Sequence, residues 1–470
     1  MLRTLIVVLT PIAMLVPPAG DPAVQVAPCP FQESAAVARL RTVMTALRQP
    51  DVMTMRQALE SVWSEGGQSR EAFEAALVAM SRLMLQGKGF EEIRLCTPRT
   101  NLALAVLRND LTEAADQLVV EVGDGPDARV VRLFATQATR RLGDLPLSAS
   151  DEDKTEFLEK YVDRLAGAGA FAGVVLVGRG DKTILARAWG EANRETRTPV
   201  TLDTPFNLAS LSKIMTATAV LQLVEAQQVS LDAEVAPMLT TASADPRFRQ
   251  IRVKHLLSHT SGLDRDPNVL AFAPGSGFLY SNLGFRLLGE IVAGRSRMRF
   301  EDYLRLKIFG PTGMASSGRY ELSAMSPLLT IGYTLEPLDT TGAPGTIPTH
   351  HPNPYLHTIA GGAMGGLYAT GPDVLRFAQA LRTGRLVTPA TLELMKTAKP
   401  ELGAPSYGFG VMLDRTPGVW GHGGDLPGAD AALELYAGDY VAVVLANMDN
   451  VAAPILRTTR ALFHRPSSGG

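Results

Sequence analysis

The placement of strand-like segments constrains the fold of this chain more than any other feature. Gly173 to Gly178 and Thr183 to Trp189 read as a hairpin of two strands. Helical spacing then dominates the middle of the chain. Strand-like runs return only near the far end, at Val411, Leu433 to Tyr436 and Tyr440 to Leu445, before a last helix from about Ala453 to Phe463. Strands at both ends with helices between them predict one antiparallel sheet assembled from both ends of a domain. Helices flank it and a helical subdomain is inserted, an α+β fold of the α/β-sandwich kind.

At 470 residues the chain exceeds one ordinary domain, and two are expected. Hydrophobic residues make up 46% and charged residues 20%, a globular composition. The net charge of -2, with basic residues scattered, predicts no attraction to nucleic acid or to an anionic membrane surface. Neither internal repeats nor low-complexity segments occur.

A small α+β accessory domain is expected over residues 33–141. Val37, Leu40, Met44 and Leu47 keep helical spacing, as do Phe73, Leu77, Met80 and Met84. Glu92 to Leu95, Leu102 to Leu107, Leu118 to Val122 and Val130 to Phe134 read as strands, the last two joined through Gly123-Asp124-Gly125-Pro126. Residues 142–150 form the expected linker. Ser150-Asp151-Glu152-Asp153 then opens a capped helix and the second domain, 151–466.

Residues 1–20 read as an export signal: Arg3, an apolar run from Leu5 to Val16, then Ala19 and Gly20. A buried first helix is the alternative. The run is too short to span a membrane, and no other segment is long and apolar enough. The expected location is therefore periplasmic or extracellular. Cys29 and Cys96 are the only cysteines, and in an oxidising compartment they can form one disulfide or remain two thiols.

Three polar motifs carry candidate chemistry. In the first, Ser210 stands three residues before Lys213, which puts both side chains on one helical face. A hydroxyl beside an amine is a nucleophile beside a possible base. Pro205 to Ala209 is non-helical in character, so Ser210 is expected at a helix N-terminus, where free N–H groups favour negative charge. The plain alternative is an N-cap serine with an exposed lysine. The second motif is Tyr280-Ser281-Asn282, behind Ala273-Pro274-Gly275-Ser276-Gly277. A phenol beside an ammonium is expected to ionise more readily; alternatively Tyr280 packs at a helix start capped by Asn282. The third motif is Trp420-Gly421-His422-Gly423-Gly424-Asp425, just before a strand-rich stretch. Its glycines, Gly424 included, allow close backbone approach. The N–H of Asp425 can join that of Ser210 as an oxyanion hole.

Together these motifs resemble those of the serine β-lactamases and penicillin-binding D-alanyl-D-alanine peptidases, in the class C-like branch that also holds esterases and D-aminopeptidases. The resemblance covers about residues 152 to 465. It extends to Lys254 through Leu263, Gly361 through Thr370, Tyr407-Gly408-Phe409-Gly410 and Leu445-Ala446-Asn447. It implies a serine hydrolase without cofactor, acylated on Ser210, with Lys213 and Tyr280 sharing the proton work. Asn282 would bond the substrate amide and Lys213. His422, where β-lactamases usually carry lysine, would sit beside the leaving group or a substrate carboxylate. Histidine is mostly neutral at neutral pH, so it would hold a carboxylate less strongly. Arg415 is a candidate for the missing charge.

The implied substrates are small molecules: an ester, a D-amino-acid amide or peptide, or a β-lactam. A penicillin-binding sensor that acylates and stalls, or a catalytically retired binding protein, is the alternative on the same fold. His255 and His259 have metal-ligand spacing, but Leu256 stands where a zinc-peptidase glutamate would, and no metal site is expected from them or from His350, His351 and His357. The absence of Gly-x-Ser-x-Gly argues against an α/β-hydrolase. Thr334 to Asn353 reads as a candidate gating loop or a surface segment.

Overall fold

The computed structural model describes residues 30–48, 52–63, 73, 76–77, 80, 90–111, 115–123, 128–137, 149–239, 246–263, 269–319, 330–334, 350–353, 356 and 361–464. The export segment, Cys29, Met84, His357 and most of the Thr334 to Asn353 stretch lie outside these residues. The chain divides into two compact units, whose described parts are residues 30–137 and 149–464.

In the first unit, helices α1 (Ala35–Leu47) and α2 (Val52–Val62) precede a four-stranded antiparallel meander, β1 (Phe90–Arg99), β2 (Leu102–Asn109), β3 (Ala115–Val122) and β4 (Val130–Gln137). Alternate residues set its two faces. Ala103, Ala105 and Leu107 of β2, with Leu118, Val120 and Val122 of β3, face the core formed with Val37, Leu40 and Met55 of the helices. Leu104, Val119 and Cys96 form a smaller buried cluster. Cys96 is disulfide-bonded.

The second unit opens at α3 (Asp151–Gly167). Ser150 caps it as the sequence predicts: its hydroxyl accepts from Asp153 N–H while the Asp153 carboxylate accepts from Ser150 N–H. The main sheet joins β5 (Gly173–Arg179) and β6 (Lys182–Trp189) to β7 (Met412–Leu413), β8 (Trp420–Leu426), β9 (Ala429–Leu435) and β10 (Tyr440–Ala446). Six strands run in the order β7-β8-β9-β10-β5-β6, all antiparallel. The sheet therefore closes from both ends of the unit, with Gly173 opposite Ala446 and Arg179 opposite Tyr440. β10 is buried throughout, which matches its unbroken apolar sequence.

Between the two halves of the sheet, in sequence, come α4 (Ser212–Glu225), the short helix Val253–Leu257, α5 (Asn282–Ser296) and α6 (Gly371–Arg382), and α7 (Ala452–Phe463) ends the unit. Val374 and Leu375 of α6 share a core with Val174 and Leu176 of β5. α7 contacts both α3 and β10, so the first and last helices of the unit are neighbours. The architecture is α+β. Among the described residues, no helix is long and apolar enough to cross a membrane.

Candidate active site

α4 is apolar almost all round, and 11 of its residues, Ser212 to Leu221 and Leu223, are buried. A helix of that kind is held rigidly, and it fixes the turn before it. That turn is a single 3-10 turn, Ala209–Leu211, so Ser210 lies just outside the α-helix rather than at its first residue. Ala209 carries a left-handed φ of +43°. Local bonds over-determine it: its N–H donates to Asn207 Oδ1 at 2.8 Å, and its carbonyl accepts from Ser212 Oγ at 2.8 Å and from Gly366 N at 3.0 Å. Ser212 Oγ also accepts from Leu367 N at 3.1 Å, which ties the glycine-rich segment 361–367 to the same turn.

Lys213 is fully buried, and its Nζ donates to Ser210 Oγ at 2.9 Å and to the Met364 carbonyl. Nζ lies 4.8 Å from the ring centroid of Tyr280 and 5.7 Å from that of Phe285. Burial lowers the lysine to a pKa of about 7, which leaves a large neutral fraction at neutral pH. The exposed-lysine alternative therefore fails. Ser210 itself stays partly accessible.

Tyr280 immediately precedes the cap of α5. Ser281, not Asn282, is that cap, with its hydroxyl accepting from Gly284 N at 3.1 Å. The phenol of Tyr280 hydrogen-bonds Ser210, yet burial outweighs that bond and pushes the phenol above its ordinary value. This corrects the expected ease of ionisation: desolvation of the buried phenol outweighs what its polar neighbours offer. Asn282 is the first residue of α5, and its buried Oδ1 has no hydrogen-bond partner. The expected Asn282–Lys213 bond through that oxygen is not formed; Lys213 Nζ donates to Ser210 and Met364 instead.

His422 lies within β8, not before the strands, opposite Leu433 of β9. β7 pairs only with Trp420 and Gly421. Among the described residues, 422–426 thus have no strand on that side, and there the nucleophile turn packs instead. Gly424 permits this approach: a Cβ on it would lie 2.3 Å from Leu208 O and 2.7 Å from both Ser210 N and Leu211 N. Asp425 follows on the same strand with an exposed side chain. Arg415 is exposed in the turn between β7 and β8.

His422 is only 3% exposed, and its ring centroid is 6.4 Å from that of Tyr280. Burial, with the charge of Lys213 adding to it, lowers His422 to about 3, so the ring is neutral across the ordinary pH range. Ser210, Lys213, Tyr280 and His422 thus converge, although the sequence separates them by up to 212 positions.

Two neighbours carry signals that motif reading passed over. The helix expected to hold both His255 and His259 ends at Leu257, and His259 turns away with φ +57°. Its ring is fully buried and stacks 4.2 Å from Tyr280, with Nδ1 accepting from Ser281 N at 3.0 Å and Nε2 unpartnered. Its pKa falls well below the ordinary value through burial. The metal spacing is therefore illusory, and no group of three metal-ligating side chains occurs among the described residues. Tyr407 is buried beside it and reaches His422 Nε2 at 2.9 Å.

The sequence pattern of the family described as Beta-lactamase matches residues 158–464. Penicillin-binding protein 4 of Amycolatopsis lactamdurans is 29% identical over 303 residues, 56% of this chain and 77% of that protein. Esterase EstB of Burkholderia gladioli is 30% identical over 304 residues, 53% of this chain and 75% of that protein. A D-aminopeptidase of Brucella anthropi is 30% identical over 282 residues, 54% of this chain and 52% of that protein. The crystal structure of a penicillin binding protein from Bacillus halodurans superposes with a TM-score of 0.55 at 24% identity, covering 67% of this chain and 100% of that one, a likeness of fold. With the pattern spanning the sheet, the lysine-bearing helix and the converging side chains alike, the chain belongs to the beta-lactamase family and is a serine hydrolase related to β-lactamases.

Proposed function

We propose that the protein cleaves a small ester, a D-amino-acid amide or peptide, or a β-lactam through an acyl-enzyme on Ser210. The observation that carries this reading is the 2.9 Å contact between Ser210 Oγ and the buried Nζ of Lys213, whose lowered basicity leaves a large neutral fraction at neutral pH. A neutral amine accepts the serine proton as Oγ attacks the acyl carbon. Tyr280 keeps its proton and serves as a donor, relaying a proton toward the leaving group. The N–H groups of Ser210 and Asp425 receive the oxyanion; the close approach of β8 to the nucleophile turn supports that pairing. The unpartnered Oδ1 of Asn282 is an acceptor for a substrate amide N–H. Water then releases the acyl group.

The apolar run from Leu5 to Val16 supports export to the periplasm or beyond. The disulfide at Cys96 supports the same compartment, with Cys29 as its partner. The first unit serves as an accessory or binding domain.

The test is a burst experiment with a nitrophenyl ester and labelling with a fluorescent penicillin. Ser210→Ala should abolish both while the circular dichroism spectrum is kept. A burst with no turnover would instead identify a penicillin-binding sensor. Retained turnover in the variant removes Ser210 from the mechanism.

A further inference from the structure

The imidazole of His422 is bonded on both nitrogens. Nδ1 lies 2.5 Å from the Gly423 carbonyl, and Nε2 lies 2.9 Å from the Tyr407 hydroxyl. A carbonyl oxygen only accepts, so Nδ1 carries the proton. Nε2 then presents a lone pair, and Tyr407 must be the donor. The ring has no hydrogen left to give.

The direction of this ring matters for substrate. His422 and Gly424 are two positions apart on β8, so they face the same side of the sheet. That side abuts Ser210, as the contacts of Gly424 establish. Tyr407 cannot be ionised away: it is buried, and burial raises its phenol well above the ordinary value. Its ring is also packed 4.9 Å from His259 and 5.7 Å from Phe278 between centroids, which fixes where its hydroxyl oxygen sits.

We propose that Tyr407 is a specificity-determining positioning residue: by donating to Nε2 it holds His422 as the Nδ1–H tautomer, so that the wall beside Ser210 offers a substrate carboxylate neither charge nor hydrogen bond from that histidine. The acyl substrates this site takes are then those with an uncharged leaving group. The inference rests on the acyl-enzyme reading above for its consequence, but not for the tautomer.

Two esters of one N-acetyl-D-alanyl group test it, one with D-lactate and one with D-lactamide as the leaving alcohol. They differ by one charge. A hydrogen bond to a charged group is worth about 1.5–3 kcal/mol, roughly 10- to 150-fold. In the intact protein kcat/KM should favour the lactamide ester. In Tyr407→Phe, Nε2 loses its donor, the ring stays neutral, and the Nε2–H tautomer becomes available to donate to the carboxylate, so the preference should shrink by about tenfold or more on that scale. A general packing defect would lower both substrates alike. Equal or better cleavage of the lactate ester by the intact protein, or an unchanged ratio in the variant, overturns the proposal.

Should the variant not fold, long-range 1H–15N spectra of histidine-labelled intact protein still decide. The resonance lost in His422→Gln must show a protonated Nδ1; a protonated Nε2 refutes the arrangement. A failed burst with the nitrophenyl ester would sink the acyl-enzyme reading alone, and the spectra would judge the Tyr407–His422 bond regardless.

Discussion

In the mechanism proposed above Lys213 is the base, and desolvation is what suits it to that role. Burial lowers its basicity and takes the amine down to about 7. The active form is the neutral one. Acylation, followed as kcat/KM for a neutral ester, should therefore rise with pH through about 7, tenfold per unit below it, and level off above. His422, at about 3, should leave no inflection in the neutral range. An acid limb centred near the ordinary lysine value would mean that the amine is solvated in solution. Lys213→Ala should slow acylation by about 10²–10⁴-fold, the usual worth of proton transfer. The serine-to-lysine spacing was legible in the sequence because it is local. The sign of the Tyr280 shift was not: it depends on how deeply two distant segments bury the phenol.

At the level of elements, the site is a contact between the nucleophile turn and one edge of β8. Gly424 is where they meet, and the atoms a Cβ would strike are backbone, which cannot swing aside. Gly424→Ala should push β8 away from Ser210. A displacement of about 1 Å costs on the order of 10²-fold in rate, so kcat should fall by about that much, and the thermal midpoint should fall with it, since overpacking costs about 1–3 kcal/mol. Activity within a few-fold of the parent would show that the turn and strand adjust independently. Helix and strand identity followed well from periodicity: β5, β6, β10 and α7 lie within a residue or two of where the apolar pattern puts them. His422 read as a residue before the strands because glycine has weak strand propensity and three glycines surround it. The roles of His259 and Tyr407 were invisible, since each depends on partners 15 to 22 positions away or more and on burial.

On the scale of the molecule, the described parts of the two units have separate cores. The site residues all lie in the second, whose first helix has its own complete cap at Ser150. A fragment spanning 149–464 should fold cooperatively and hydrolyse the nitrophenyl ester with a kcat close to that of the full chain, as read by thermal unfolding and steady-state rates. Loss of kcat in a well-folded fragment would give the first unit a part in turnover. The two-unit organisation was readable because each stretch has its own periodicity, helices then strands in one, strands at both ends in the other. What the first unit contributes was not readable, because nothing in its composition names a ligand.

The pairing of β5 with β10 joins residues near 173 to residues near 446. During synthesis, β5 can pair with β6 at once but must wait for almost the whole unit to emerge before it meets β10. Loop closure over so long a stretch makes this a late and slow event. A nascent polypeptide, or one clipped before β10, therefore has no partial competence to offer. It acquires an assembled sheet, and with it any ability to react, in one step at the end.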